Sequence, residues 1–163
     1  PVLLVARRLC HRIGLRHPTV QIIMDHPTRS DYTLIQVRGF DKLDAPGAFD
    51  LPCAGHVIGT ETIERTLEKE LGEELGLEVT DLKDLREIIH YEYRDLDQRA
   101  GFLNVEYRVV YRARLRETAP DRIHFADGEV AGLAVMSVAA VRDLLSQAPE
   151  QVASGLRGTV HWF

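Results

Sequence analysis

A mixed α/β domain, a mixed sheet with helices packed on it, is predicted for this 163-residue chain by three observations. β-branched runs come first, at residues 19–24 and 32–38. One strongly periodic helix follows at 62–75, and further alternating runs and a second helical stretch close the chain. Strands, then a helix, then strands and helices suit a sheet that buries its faces under helices. The whole chain, 1–163, reads as one domain, a length that supports a sizeable core.

In chain order, residues 19–24 (TVQIIM) read as a buried strand, 26–31 (HPTRSD) as a turn-rich break and 32–38 (YTLIQVR) as a second strand. Residues 39–50 form a loop carrying Pro46 and Gly47, and 51–57 a short strand. The helix over 62–75 places Ile63, Leu67, Leu71 and Leu75 at steps of four, with Gly76 as its C-cap. Residues 86–94 alternate weakly. Residues 104–115 alternate better, with Val105, Tyr107, Val109, Tyr111 and Ala113 on one side, and 95–101 is the hairpin loop between the two runs. A strand at 132–136, a helix at 138–145 and a helical tail at 149–163 complete the reading.

Hydrophobic residues make up 45% of the chain, charged residues 28%, and the net charge is -5. That balance gives no general attraction to nucleic acid or an anionic membrane, and no apolar run is long enough to span a bilayer. An acidic protein that handles phosphates needs a metal or a local cluster of Lys and Arg. Cys10 and Cys53 form no CxxC pair, which reads as buried thiols in a reducing cytoplasm. The chain opens on Pro1 rather than Met, which reads as a missing natural N-terminus.

The chemistry is concentrated in residues 55–77, GHVIGTETIERTLEKELGEELGL. Glu70, Glu73 and Glu74 stand at i, i+3 and i+4, so three carboxylates crowd one sector of a helix. Such crowding destabilises a helix unless something neutralises it, and clustered oxygens suit a hard divalent ion. Three glutamates alone also fit a solvated acidic face. Gly55 and Gly59 before the helix let backbone approach a ligand, and Glu61 suits the positive end of the helix dipole.

The spacing is Gly, five residues, Glu, seven residues, then Lys-Glu-Leu-x-Glu-Glu-x-Gly-Leu. It resembles the Nudix box, matching every defining position except Lys69, where the family has Arg. The resemblance implies the Nudix fold, an α/β/α sandwich with a mixed central sheet. It implies Mg²⁺, with Mn²⁺ as a substitute, held by Glu70 and Glu74, usually with Glu73, and by the backbone carbonyl of Ala54. Gly55, Glu61 and Lys69 would be orienting positions. Lys69 keeps the charge of Arg but lacks its planar fork.

More of the chain resembles the isopentenyl-diphosphate-isomerase-like branch of that family: residues 10–17 (CHRIGLRH), 51–57 (LPCAGHV), 104–106 (NVE) and 127–130 (DGEV). The isomerases of that branch carry a cysteine immediately before the Gly-His pair, where this chain has Ala54. Cys53, one residue earlier in an extended strand, should point to the opposite face. The isomerases also bind a metal through three His and two Glu. Here His11, His17 and His56 are present, but Asn104 stands for the first Glu, leaving Glu106, and the His11–His17 spacing is one residue short. The expected activity is therefore hydrolysis of a diphosphate linkage, with the three histidines in structural roles. Isomerisation and a non-catalytic binding module are the alternatives.

Hydrolysis needs a nucleophilic water and a base. Candidates for the catalytic carboxylate are Glu70, Glu73, Glu106 and Glu129, the last two also readable as a salt-bridge partner and a loop charge. Arg38 and Lys42 are candidates for binding substrate phosphates, and Tyr91, Tyr93 and Tyr107 for walling a pocket. The partner implied is a small-molecule diphosphate such as a nucleoside diphosphate derivative, with no nucleic acid and no membrane. A homodimer is left open.

Overall fold

The computed structural model describes residues 5–97, 102–125 and 128–163. Most of the 95–101 loop, Asp127 of the DGEV segment and residues 1–4 therefore lie outside the described residues.

The elements are α1 (Arg7–Ile13), β1 (His17–Asp25), β2 (Tyr32–Arg38), β3 (Phe49–Asp50), β4 (Cys53–His56), α2 (Ile63–Leu75), β5 (Leu82–Asp97), β6 (Phe102–Leu115), β7 (Val130–Ser137), α3 (Val138–Gln147) and α4 (Ser154–Thr159). The strands make one sheet in the order β3-β2-β1-β6-β5, with β4 pairing β1 and β7 pairing β2. β1 and β6 run parallel and the other pairs antiparallel, so the sheet is mixed.

Period-2 alternation along β1 feeds two cores. Val20, Ile22 and Met24 pack with Cys53 and with Leu67, Leu71 and Leu75 of α2. Ile23 packs on the other face with Ile35, Val110, Val141 of α3 and Leu156 of α4. This is the expected sandwich, with α2 on one face and α3 and α4 on the other. Each buried leucine of α2 contributes about 1.5–3 kcal/mol. Thr62 caps the helix by accepting from the Arg65 amide at 3.2 Å. Gly76 ends it at φ 66°, and a Cβ there would lie 2.1 Å from the His124 ring.

Four expectations are refined. A short helix, α1, precedes the first strand. β5 begins at Leu82, before residue 86, and its weak alternation is explained by register shifts between Lys83 and Arg86 and between Glu87 and Ile89. β7 and α3 each run longer than expected at their ends. The tail is a short α4 flanked by single 3₁₀ turns rather than one helix. Among the described residues no helix is long and apolar enough to cross a membrane.

Candidate functional site

Two clusters meet at β4, one from each side of it. The first is made by α2. Glu74, in the last turn, is 5% exposed and accepts from the Ala54 amide at 3.2 Å. The Glu70 side chain lies against Gly55, where an added Cβ would sit 2.1 Å from its carboxyl carbon and displace it. Burial pushes Glu70 up to about 7, with Glu73 and Glu129 adding repulsion against the relief given by Lys69. Burial pushes Glu74 up to about 8, with Glu70 the next cause. Two converging, dehydrated carboxyl groups beside an open backbone are the donor set a hard cation takes. Glu73 is half exposed and pairs with Lys69 at 3.7 Å.

Lys69 thus reaches Glu73, one turn on along the same helix. Glu61 accepts from the Thr66 hydroxyl at 3.4 Å. A flexible ammonium stem takes the i,i+4 carboxylate that its own helix presents.

Lys42 and Glu129 meet each other in an ion pair beside this cluster. Lys42 favours the charged forms of Glu70 and Glu74, whereas Glu129 opposes that of Glu70. Arg38 is otherwise engaged: Nη1 donates to Asp50 at 3.0 Å, and Nε and Nη2 donate to the Asp44 carbonyl at 3.3 and 2.9 Å. These bonds tie the 39–48 loop to β2. Tyr91 donates to the Gly158 carbonyl at 2.9 Å and packs against the second core, Tyr93 lies under Arg108, and Tyr107 is 36% exposed.

The second cluster gathers the three histidines that the sequence reading gave structural roles. His11 of α1, His17 at the start of β1 and His56 of β4 come together, with ring centroids 4.9 to 5.4 Å apart and one nitrogen of each within 4.8 Å of the others. The short His11–His17 spacing is absorbed because α1 ends at Gly14 with φ 66°, which turns the chain back. The His17 Nδ1–H donates to the Leu15 carbonyl at 2.8 Å, so Nε2 keeps its lone pair, and that atom and His56 Nε2 are buried without a hydrogen-bond partner. Burial, then the nearby Arg7, pulls His56 down to about 3. Burial and His17 lower His11. Three imidazoles whose nitrogens converge in this way could hold a metal.

Glu106 adjoins this cluster, with Oε1 at 3.9 Å from His56 Nε2. Asn104 donates to Oε1 at 2.8 Å and the buried Arg108 to Oε2 at 2.7 Å. Burial works to raise Glu106, but Arg108 outweighs it and the carboxyl sits below its ordinary value. That contradicts its candidacy as a base poised near neutral pH, because Arg108 keeps it an anion. Arg108 itself was invisible in the sequence reading. Its only signal was an arginine at a position of β6 that shares a face with Val110.

Cys53 faces α2 in the first core, and burial with the repulsion of Glu74 and Glu70 pushes its thiol well above the usual range. Ala54 and His56 alternate to the other face, as expected for an extended strand.

Comparison with known proteins agrees with this geometry. The family model described as NUDIX domain matches residues 15–163, and the chain belongs to that family. A relative named Nudix hydrolase 3, from Arabidopsis thaliana, is 32% identical over 111 residues, covering 68% of this chain and 14% of that longer protein. The solved structure of DR0079 from Deinococcus radiodurans superposes with TM-score 0.72 at 20% identity, covering 98% of this chain and 88% of that one. The NUDIX domain of NrtR from Shewanella oneidensis, solved with ADP ribose, gives TM-score 0.64 at 14% identity, covering 96% of each chain. At these identities the structural likenesses show the fold.

Proposed function

We propose that the chain is a Mg²⁺-dependent hydrolase that cleaves a diphosphate linkage in a small molecule such as a nucleoside diphosphate derivative. The observation that carries this is the convergence of half-buried Glu70 and buried Glu74 on the Gly55 cradle and the Ala54 amide. The two carboxyls, with Glu73 and the Ala54 carbonyl, would hold Mg²⁺ or Mn²⁺. A bound divalent ion supplies an activated water and screens phosphate charge. Lys42 is placed to leave Glu129 for a substrate phosphate, and Glu129, once released, is a better candidate base than Glu106. The Nudix-family relative and the ADP-ribose-bound neighbour support this substrate class by likeness alone.

The histidine cluster supports a second ion. Three imidazole nitrogens and one carboxylate suit a borderline ion such as Zn²⁺ or Mn²⁺ better than Mg²⁺. This arrangement also supports placement in the isopentenyl-diphosphate-isomerase-like branch. Isomerase activity itself is disfavoured by Ala54, by Asn104 and by a Cys53 thiol on the far side of β4 with a raised pKa. We place the protein in the cytoplasm, on the strength of its two free cysteines.

The test is a panel of diphosphate compounds with Mg²⁺, read by phosphate release, with isopentenyl diphosphate included and its products analysed. Hydrolysis of at least one compound, lost in EDTA, is expected. Isomerisation that disappears in Cys53→Ala would overturn the reading.

A further inference from the structure

The start of β5 and the end of β6 carry a charge arrangement that a strand pair ordinarily avoids. The register sets Lys83 opposite Arg114 and Arg86 opposite Arg112. Directly opposed like charges destabilise an antiparallel pair. Residues 83 and 86 are an odd number apart, so in a regular strand they would point to opposite faces. The bulge between them restores a common face, and within it Asp84 adopts a left-handed φ of 59°. Backbone held in a sparsely populated region in order to gather four cations calls for a compensating interaction.

Part of that compensation is present. Arg112 is held by Asp25 through two bonds of 2.9 Å and donates to the Trp162 carbonyl at 3.2 Å. Arg114 gives one donor to the His26 carbonyl and Arg86 one to the Asp84 carbonyl. Among the described residues no carboxylate lies within ion-pair distance of Lys83, Arg86 or Arg114. Arg86 and Arg114 border a cleft of about 320 Å³, lined also by Asp25, Asp84, Arg112 and Ala113. With Arg112 and Asp25 cancelling, the two cations Arg86 and Arg114 stand against the one acid of Asp84 in this cleft, in a chain whose net charge is -5.

We propose that this cleft binds a small phosphoryl anion, with inorganic diphosphate its simplest form. The planar forks of Arg86 and Arg114 match phosphate oxygens. The site is separate from the clusters at β4. Glu106 pairs with His17 at one end of the β1–β6 ladder and Arg114 with Asp25 at the other, about 26 Å away at strand rise. The anion here is a second ligand of the protein, not the substrate group at the glutamates.

Thermal melting in EDTA tests this, with wild type and Arg86→Gln/Arg114→Gln compared in inorganic diphosphate and in sodium chloride of equal ionic strength. Diphosphate at about a hundredfold over its Kd should raise the wild-type Tm by roughly 5 °C beyond the chloride value. The double variant should melt higher than wild type in dilute buffer, because like charges have been removed, and should respond equally to both salts. A nucleoside diphosphate run in parallel separates the sources: a plain phosphoryl site gives it the same variant-sensitive rise as diphosphate, and a nucleotide site gives it a larger one. Equal rises for diphosphate and chloride in wild type, or an undiminished diphosphate rise in the variant, would overturn the proposal. ³¹P line broadening of diphosphate by each protein gives an independent reading should either variant melt irregularly.

Discussion

The two clusters on either side of β4 respond to one physical cause in opposite senses. Dehydration disfavours charge, so it raises the carboxyls of Glu70 and Glu74 and lowers the imidazoles of His11 and His56. Both clusters become short of charge, but they differ in readiness. His11 and His56 are already in the form that binds a metal, whereas the glutamates must first surrender protons that burial has made them hold. The oxygen site thus gains affinity as pH rises through about 7 to 8.

The largest effect that would break this comparison is on turnover. Glu74→Gln removes the most buried carboxylate of the helix, and hydrolysis with Mg²⁺ should fall by about a hundredfold or more, since even indirect partners of a metal commonly contribute ten- to a hundredfold. Steady-state rates across a Mg²⁺ titration check it, and normal turnover would mean the carboxylates are not the metal site. Next, His17→Ala should weaken Co²⁺ binding at the nitrogen cluster by about tenfold to a hundredfold while leaving the glutamates intact. Visible absorption of Co²⁺ bound to wild type and variant separates the two sites, because imidazole and carboxylate ligation give different spectra.

A smaller effect is expected on the apo protein. Glu70 and Glu74 titrate higher in the fold, at about 7 and about 8, than an unperturbed carboxyl. Between the ordinary value and these, the native state holds more protons than the unfolded one, so stability falls as pH rises through that window. Melting in EDTA from about pH 5 to about pH 8 should show this fall, and Glu74→Gln should flatten it and melt above wild type at the alkaline end. The smallest effect belongs to Lys69. Its contact is a half-exposed i,i+4 pair with Glu73, so Lys69→Ala should cost only about 0.3–0.5 kcal/mol in denaturant melts. A tenfold change in Mg²⁺ affinity would instead restore an orienting role.

How much of this was legible in the sequence follows the range of the interactions. α2, its cap at Gly76 and its glutamate sector depend on neighbours three and four residues apart, and a single sequence displays those. So does the opposite facing of Cys53 and Ala54. The histidine cluster depends on α1, β1 and β4 meeting in space, and the shortened His11–His17 spacing argued against it until the turn at Gly14 was seen. The partners of Arg38 and Lys69 were not legible for a similar reason: each lies beside a carboxylate that takes it, and that is decided by distance in the fold. The bulge in β5 hid as poor alternation, because one inserted residue inverts the pattern that strand recognition relies on.

Arg108 has a consequence for the far end of the chain. Its guanidinium is 1% exposed and spans from Glu106 to the carbonyl of Ser154 at 2.9 Å, under Gly158, whose missing side chain leaves it room. The last ten residues therefore act as a lid on a buried cation. A chain shortened before Ser154 would let water reach Arg108 and loosen the carboxylate it holds beside the histidines. Trimming a tail that carries none of the motif residues should thus be felt in the nitrogen site while the glutamate helix keeps its cap and its core.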